Sequence, residues 1–439
     1  MKQIRCAALF YLAATGVWAQ APSIDPQLAA KYFHQLRGTS ARDAGKLWGT
    51  PIDGPILFVD RKTRDVIANQ ADSAEQLKPL GGVFVGSFPK DKNISNTAID
   101  WAGVHWTMVA WPLPELRQAR ERLLLHECFH RIQDGIGLRA HDAVNDHLDT
   151  KDGRVWLQME WRALERALRQ PGPARKRAIK DALLFRNFRR SLFSDAAQTE
   201  NKLELNEGLA EYTGVKLSSE SIEELAVRSD LAIRNARSTP TFSRSFAYVS
   251  GPAYGALLDM SGAPWRDRIE KVGDLGRALA SAYGLSLPKA DKRVAEGAAA
   301  RYEGEEIIAL EIRREEKRLR DIASARQRFV DGPVLVLPLT ANVSYSYDPN
   351  NVFAIDAANT VYPTLRLVDE WGILEVTDGA WLLRDASGAL TRAQVDAPGS
   401  VAPRPLRGKG WSLELNEGWR VIPGQRSGDF RIIKEGAVD

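Results

Sequence analysis

His126 and His130 lie four residues apart in the run His126-Glu127-Cys128-Phe129-His130. Residues at that spacing share one face of a helix, so both imidazoles can reach a single Zn²⁺ ion as two of its tetrahedral ligands. Glu127, beside them, is placed to take a proton from a water activated by such an ion. The surrounding pattern is helical. Leu125, Cys128, Phe129, Ile132 and Ile136 form an apolar stripe, while Arg122, His126, His130 and Gln133 form a separate polar one. This predicts that the histidines face away from the main core side. Cys128 reads as a small buried apolar residue, not as a nucleophile.

Two histidines leave the ion short of a protein ligand. A metzincin would place a Gly and a His at the seventh and tenth positions after His126, where this chain has Gln133 and Ile136. That arrangement is excluded. The run Asn206-Glu207-Gly208-Leu209-Ala210-Glu211-Tyr212 offers a better partner. With it the chain resembles the gluzincin superfamily of zinc metallopeptidases, whose third ligand is a Glu on a second helix. The resemblance implies that Glu207 is the third ligand, and that Glu211 receives the N–H of a ligating His and fixes its tautomer. Helical geometry agrees independently. Glu200, Glu204, Glu207 and Glu211 fall on one helical face, and Leu205, Leu209 and Tyr212 on another. Carboxylates so stacked repel unless positive charge faces them, and Zn²⁺ with cationic side chains would supply it. Glu204 is the alternative ligand. Between His130 and Glu207 lie 76 residues, far more than in the best-known gluzincins, and two additional helices near Val155 to Leu192 would fill the gap.

A further resemblance lies in Tyr248-Val249-Ser250-Gly251. In the aminopeptidase branch of the gluzincins a Tyr-x-x-Gly run opens a helix and supplies a phenol to the oxyanion, a role that falls to Tyr248, with Tyr254 as the alternative. The Gly-x-Met-Glu-Asn signature that holds a free amine in that branch is missing. Endopeptidase action is therefore favoured, on a peptide or protein substrate. Two other readings stay open: a non-catalytic zinc-containing binding protein, and a zinc hydrolase of a non-peptide amide or ester. His141, Asp142, Asp146, His147 and Asp149 fit neither a calcium loop nor a second zinc motif and read as a solvated loop.

Three blocks of secondary structure must position these groups. Pro26 to Leu36 reads as a helix, followed by strands at Pro55–Val59, Asp65–Ala68, Gly82–Gly86 and Val104–Trp111. The last of these stops at Pro112, just before the histidine helix, where many metallopeptidases carry the edge strand that pairs with extended substrate. From Glu115 to about Val330 the periodicity is helical, ending in a long charged helix from Ala295 to about Phe329 with a solvated face and no chemical role. From Gly332 onward short strand-like runs return. The expected class is α+β: a small N-terminal sheet with an edge strand, a mainly helical zincin-like catalytic domain, and a C-terminal all-β domain. The corresponding divisions are a signal peptide over 1–19, the β-rich part of the catalytic unit over 20–112, the helical zinc-binding part over 113–330 and the β domain over 331–439.

Composition is that of a globular protein, with 44% hydrophobic and 26% charged residues among 439. Basic Lys2 and Arg5, an apolar run from Cys6 to Val17 and a small-residue site at Val17-Trp18-Ala19 predict a signal peptide, hence a periplasmic or secreted protein. Removing Lys2 and Arg5 from the 60 basic residues leaves 58 against 56 acidic. That balance gives no electrostatic footprint for nucleic acid or an anionic membrane, and neither is expected as a partner. No later run is long and apolar enough for an integral membrane segment. Once Cys6 is removed, Cys128 is alone, so no intramolecular disulfide is expected.

Overall fold

Asp25 opens the first helix by accepting the Gln27 backbone N–H on its carboxylate, with Pro26 at the first helical position, where its missing N–H costs nothing. The computed structural model describes residues 23–348, 351–356 and 358–436. The expected signal peptide lies outside them. Helix α1 spans Pro26–Asp43, longer than the sequence pattern suggested. Six strands follow: β1 (Ile56–Asp60), β2 (Asp65–Ala68), β3 (Lys78–Leu80), β4 (Val83–Ser87), β5 (Thr97–Trp101) and β6 (Val104–Trp111). They form one sheet in the order β3-β4-β2-β1-β6-β5. The side chains alternate as a strand's two-residue period requires. Phe58 and Val109 point to the helices, and Leu57, Val59, Trp106 and Met108 point to a second core with Phe88 and Trp101.

Strand β6 is internal, which corrects the expectation of an edge. It pairs parallel with β1 and antiparallel with β5, so both of its hydrogen-bonding rims are occupied. The free edge on this side belongs to β5. A β-rich run ending in proline identifies a strand but not its neighbours.

The helices are α2 (Arg117–Gln133), α3 (Lys151–Arg169), α4 (Gly172–Ser191), α5 (Ala196–Leu203), α6 (Leu209–Leu217), α7 (Ile222–Ala236), α8 (Ser245–Met260), α9 (Arg266–Val272), α10 (Leu275–Ala282), α11 (Lys292–Ala299) and α12 (Gly304–Arg326). A π-helical turn over Glu204–Gly208 joins α5 to α6. The expected long terminal helix is interrupted by a 3₁₀ turn over Ala300–Tyr302 and by Glu303 at φ 58°. Much of α12 faces solvent, as expected, but Glu311 is buried and receives Arg154 and Gln158. The α1–α11 helices and one face of the sheet share a continuous apolar core.

The C-terminal region is all β. Its strands are β7 (Val334–Pro338), β8 (Ser344–Tyr347), β9 (Phe353–Asp356), β10 (Asn359–Tyr362), β11 (Leu365–Asp369), β12 (Gly372–Val376), β13 (Ala380–Arg384), β14 (Leu390–Asp396), β15 (Leu406–Gly408), β16 (Trp411–Leu415), β17 (Trp419–Pro423) and β18 (Phe430–Lys434). They form a seven-stranded sheet, β17-β18-β7-β14-β13-β10-β9, and a five-stranded one, β15-β16-β12-β11-β8. Leu335, Leu382 and Val395 of the first meet Leu367, Leu374 and Leu413 of the second in one core. The architecture is α+β, with a small N-terminal sheet, a helical middle and a C-terminal all-β region. Among the described residues no helix is long and apolar enough to cross a membrane.

Candidate metal centre

Helix α2 carries His126 and His130 on the face that meets the Glu204–Gly208 turn and α6. The two Nε2 atoms are 3.2 Å apart, and each lies 3.4 Å from Glu207 Oε2. Zinc bonds of about 2.0–2.2 Å to nitrogen and oxygen imply a tetrahedral edge of about 3.4 Å. The spacing of the three atoms matches three corners of such a tetrahedron, and the donor set fits zinc. Among the described residues this is the one group of His, Cys, Asp and Glu close enough to hold a metal ion.

Each candidate ligand is held from behind. His126 Nδ1 is 2.9 Å from Glu211 Oε2, and Arg122 Nη1 donates to the other oxygen of Glu211 at 2.5 Å. His130 Nδ1 is 3.0 Å from Gln133 Oε1. These contacts leave both Nε2 atoms directed at the same point. Glu207 Oε2 accepts the Tyr248 phenol at 2.7 Å, and Arg244 Nη2 donates to Oε1 at 3.1 Å. The Tyr248 ring lies parallel to His126, with 5.4 Å between centroids and 5° between planes. Tyr248 thus orders the ligand set directly.

Burial alone would lower the His126 pKa, but hydrogen bonds to Glu207 and Glu211 outweigh it and push it up to about 10. Burial likewise opposes charge on Glu207, yet the two histidines hold its carboxyl well below the usual range. The cluster is built around positive charge. Glu127 differs. Burial raises its carboxyl against the pull of His126 and His130, and its Oε2 is sealed from solvent without a hydrogen-bond partner among the described residues. A buried carboxylate oxygen with no partner is costly and suits a group that must accept a proton.

The structure brings together His126, Glu127, His130, Glu207, Glu211 and Tyr248. It separates the alternatives. Glu204 is clamped by Arg186, and the Tyr254 hydroxyl donates to Glu160 at 2.7 Å in the helical core. The four-carboxylate face is divided, because the π turn over Glu204–Gly208 fits an extra residue into the turn and shifts Glu207 off the α-helical phase of Glu200 and Glu204. Glu200 and Glu204 meet Arg186, Arg189 and Arg190, whereas Glu207 and Glu211 meet the histidines. The apolar stripe of α2 (Leu125, Cys128, Phe129, Ile132) lies in the core, and His126 and Gln133 of its separate polar stripe are also covered, at 4% and 1% exposed. An acidic helix, not solvent, covers them.

Nor is the segment after α2 simply a solvated loop. Asp149 accepts the Phe242 backbone N–H at 2.6 Å and pairs with buried Arg154. His147 lies 2.9 Å from buried Glu200, and Asp142 pairs with Arg244. Buried cations in the helical core require these acidic partners. Cys128 is a free, fully buried thiol, and burial pushes its pKa up to about 12.

Sequence reasoning missed Arg244. Its only signal was position, one turn before Tyr248 on the same helical face. It also missed that the C-terminal region walls the site. A cleft of about 1710 Å³ runs past His126, His130 and Glu207, between the β5 edge on one side and Tyr345 and Tyr347 of β8 on another. Arg366 of β11 fastens this wall to the N-terminal part, donating to Asn93 Oδ1 at 2.5 Å. No family model, curated protein or solved structure matches this chain.

Proposed function

We propose that the protein is an exported, zinc-dependent metallopeptidase, with endopeptidase action favoured. The observation that supports this most is the tetrahedral spacing of His126 Nε2, His130 Nε2 and Glu207 Oε2 beside the unpartnered oxygen of Glu127. Zinc held there would act as a Lewis acid and bring a nucleophilic water within reach of neutral pH. Glu127 takes the proton as the water attacks the scissile carbonyl and returns it to the leaving amine. Tyr248 and Arg244 hold Glu207, and Tyr248 would stabilise the negative charge developing on the substrate oxygen. Glu211 fixes the His126 tautomer. A structural zinc site is closed by a fourth protein ligand, whereas this group has three members among the described residues and opens on a cleft of about 1710 Å³.

The test is elemental mass spectrometry on the purified protein together with hydrolysis of a peptide pool. About one zinc per chain is expected in the wild type and in Glu127→Gln, with much less in folded His126→Ala and Glu207→Ala. Peptide cleavage is expected in the wild type alone. Cleavage surviving in Glu127→Gln would overturn the mechanism, and no zinc after reconstitution at neutral pH would overturn the metal site.

A further inference from the structure

The cleft extends from His126 along the N-terminal half of α2 towards α7, where its wall carries two guanidinium groups, Arg122 and Arg228. Arg122 stands one turn before His126, and its side chain's one hydrogen bond among the described residues goes through Nη1 to Glu211. Arg228 is half-buried. Its Nη1 donates to Val215 O, Ser218 O, Ser218 Oγ and Ser219 Oγ at 2.9–3.3 Å, which pins the guanidinium to the end of α6. All four acceptors are neutral. Its Nε and Nη2 make no hydrogen bond among the described residues and are not sealed from solvent.

Counter-charge near Arg228 is committed elsewhere. Glu224, one turn earlier on α7, accepts Gln118 Nε2 at 2.6 Å and the Glu220 backbone N–H at 2.8 Å. Glu211 is shared between Arg122 and His126. Burial, opposed by Glu224 and Glu211 and reinforced by the nearby Arg122, leaves the Arg228 pKa lowered, and neither carboxylate forms an ion pair with it among the described residues. Leu116, Leu123 and Leu231 line the same stretch and lower the local dielectric, which strengthens an ion pair formed there. A fixed guanidinium with two free donors and no ion-pair partner matches a planar carboxylate.

We infer that Arg122 and Arg228 form a carboxylate-binding subsite beside the metal centre, so that the substrates are peptides carrying a carboxylate near the scissile bond. The carboxylate is either an acidic side chain or the free C-terminus. This rests on the peptidase reading of the same cleft.

The experiment is calorimetric titration of zinc-loaded Glu127→Gln protein, which binds without cleaving, using octapeptide pools of otherwise neutral residues. One position is fixed as Glu or Gln, and each pool is prepared as C-terminal acid and as amide. A charged hydrogen-bonded pair predicts about tenfold tighter binding of one acidic form. The arm showing the advantage identifies the source of the carboxylate. The advantage is expected to collapse in Arg228→Gln, and also in Leu231→Glu, where a competing carboxylate replaces an exposed side chain without touching the core. Equal binding of acidic and neutral pools, or an advantage that survives both substitutions, overturns the subsite. Hydrolysis by the unsubstituted enzyme separates the two readings. Cleavage without acidic preference removes the subsite alone, whereas acidic preference in binding without any cleavage removes the peptidase reading alone.

Discussion

Gly208 and Gly251 bring the backbone of the Glu207 turn into direct contact with the Tyr248 helix. A β-carbon on Gly251 would stand 2.2 Å from the Gly208 carbonyl oxygen and 2.4 Å from its Cα. This close approach sets the 2.7 Å hydrogen bond between Tyr248 and Glu207, since each residue lies within three positions of the contact. Gly251→Ala is expected to push the helices apart and cost about 1–3 kcal/mol, as overpacking does. Zinc affinity should fall with it. At Gly208 the nearest atoms to an added β-carbon are 3.2 and 3.3 Å away, so Gly208→Ala should be milder. Thermal denaturation and zinc titration check both, and a Gly251→Ala protein with unchanged stability and affinity would remove the contact's role.

Glu211 touches His126 and Arg122 but not the point where the three ligand atoms converge. Its removal should act through imidazole orientation. Glu211→Ala is expected to weaken zinc binding about 10–100-fold, the usual cost of losing a group that holds a ligating histidine. Glu211→Gln, which keeps an acceptor for the His126 N–H, should recover part of the loss. Competition with a fluorescent chelator measures this, and equal affinities in all three proteins would show that His126 needs no such support.

The 3.6-residue period made α2 legible, and with it the His126–His130 pair, because spacing along one helix is a local property. Periodicity grouped Glu207 and Glu211 with Glu200 and Glu204 without choosing among them; the choice came from the resemblance of the Asn206–Tyr212 run to a known ligand pattern. The π turn between Glu204 and Glu207 left no mark that a periodicity count could detect, so four carboxylates were assigned to one face. The internal place of β6 was equally hidden: its second neighbour is β1, which pairs Ile56 with Thr107 across a long stretch of chain, and a β-rich run such as Val104–Trp111 looks the same at an edge or inside. Arg186, Arg189 and Arg190 sat in a segment that read as an ordinary helix. Their role as counter-charges to Glu160, Glu200 and Glu204 is a property of three helices meeting.

Arg186 grips Glu204 with both terminal nitrogens and reaches Glu160 Oε1 at 3.3 Å, all within a sealed core. Glu204 begins the π turn that carries Glu207, so the pair fixes the start of that turn. Arg186→Met leaves the buried Glu204 carboxylate with Arg190 alone, at 3.6 Å, and should cost about 3–5 kcal/mol. Replacing Glu204 by Leu as well should restore part of that stability. Urea denaturation of the single and double variants tests the coupling; a double variant as unstable as the two single losses combined would mean the residues act independently.

Asp146 opposes folding at neutral pH. Burial and the neighbouring Asp149 push its carboxyl up to about 7, against the attraction of Arg384 from the C-terminal region. An acid whose pKa is higher in the folded protein binds its proton more tightly there. Its contribution is therefore most favourable below the unfolded value of about 4 and declines as pH rises from 4 to 7. Asp146→Asn removes that decline. The variant should gain on the order of 2–4 kcal/mol over the wild type at pH 7, and the gain should vanish near pH 4. Denaturation midpoints measured across this interval give the sign directly, and a gain that is constant with pH would show that packing, not ionisation of Asp146, separates the two proteins.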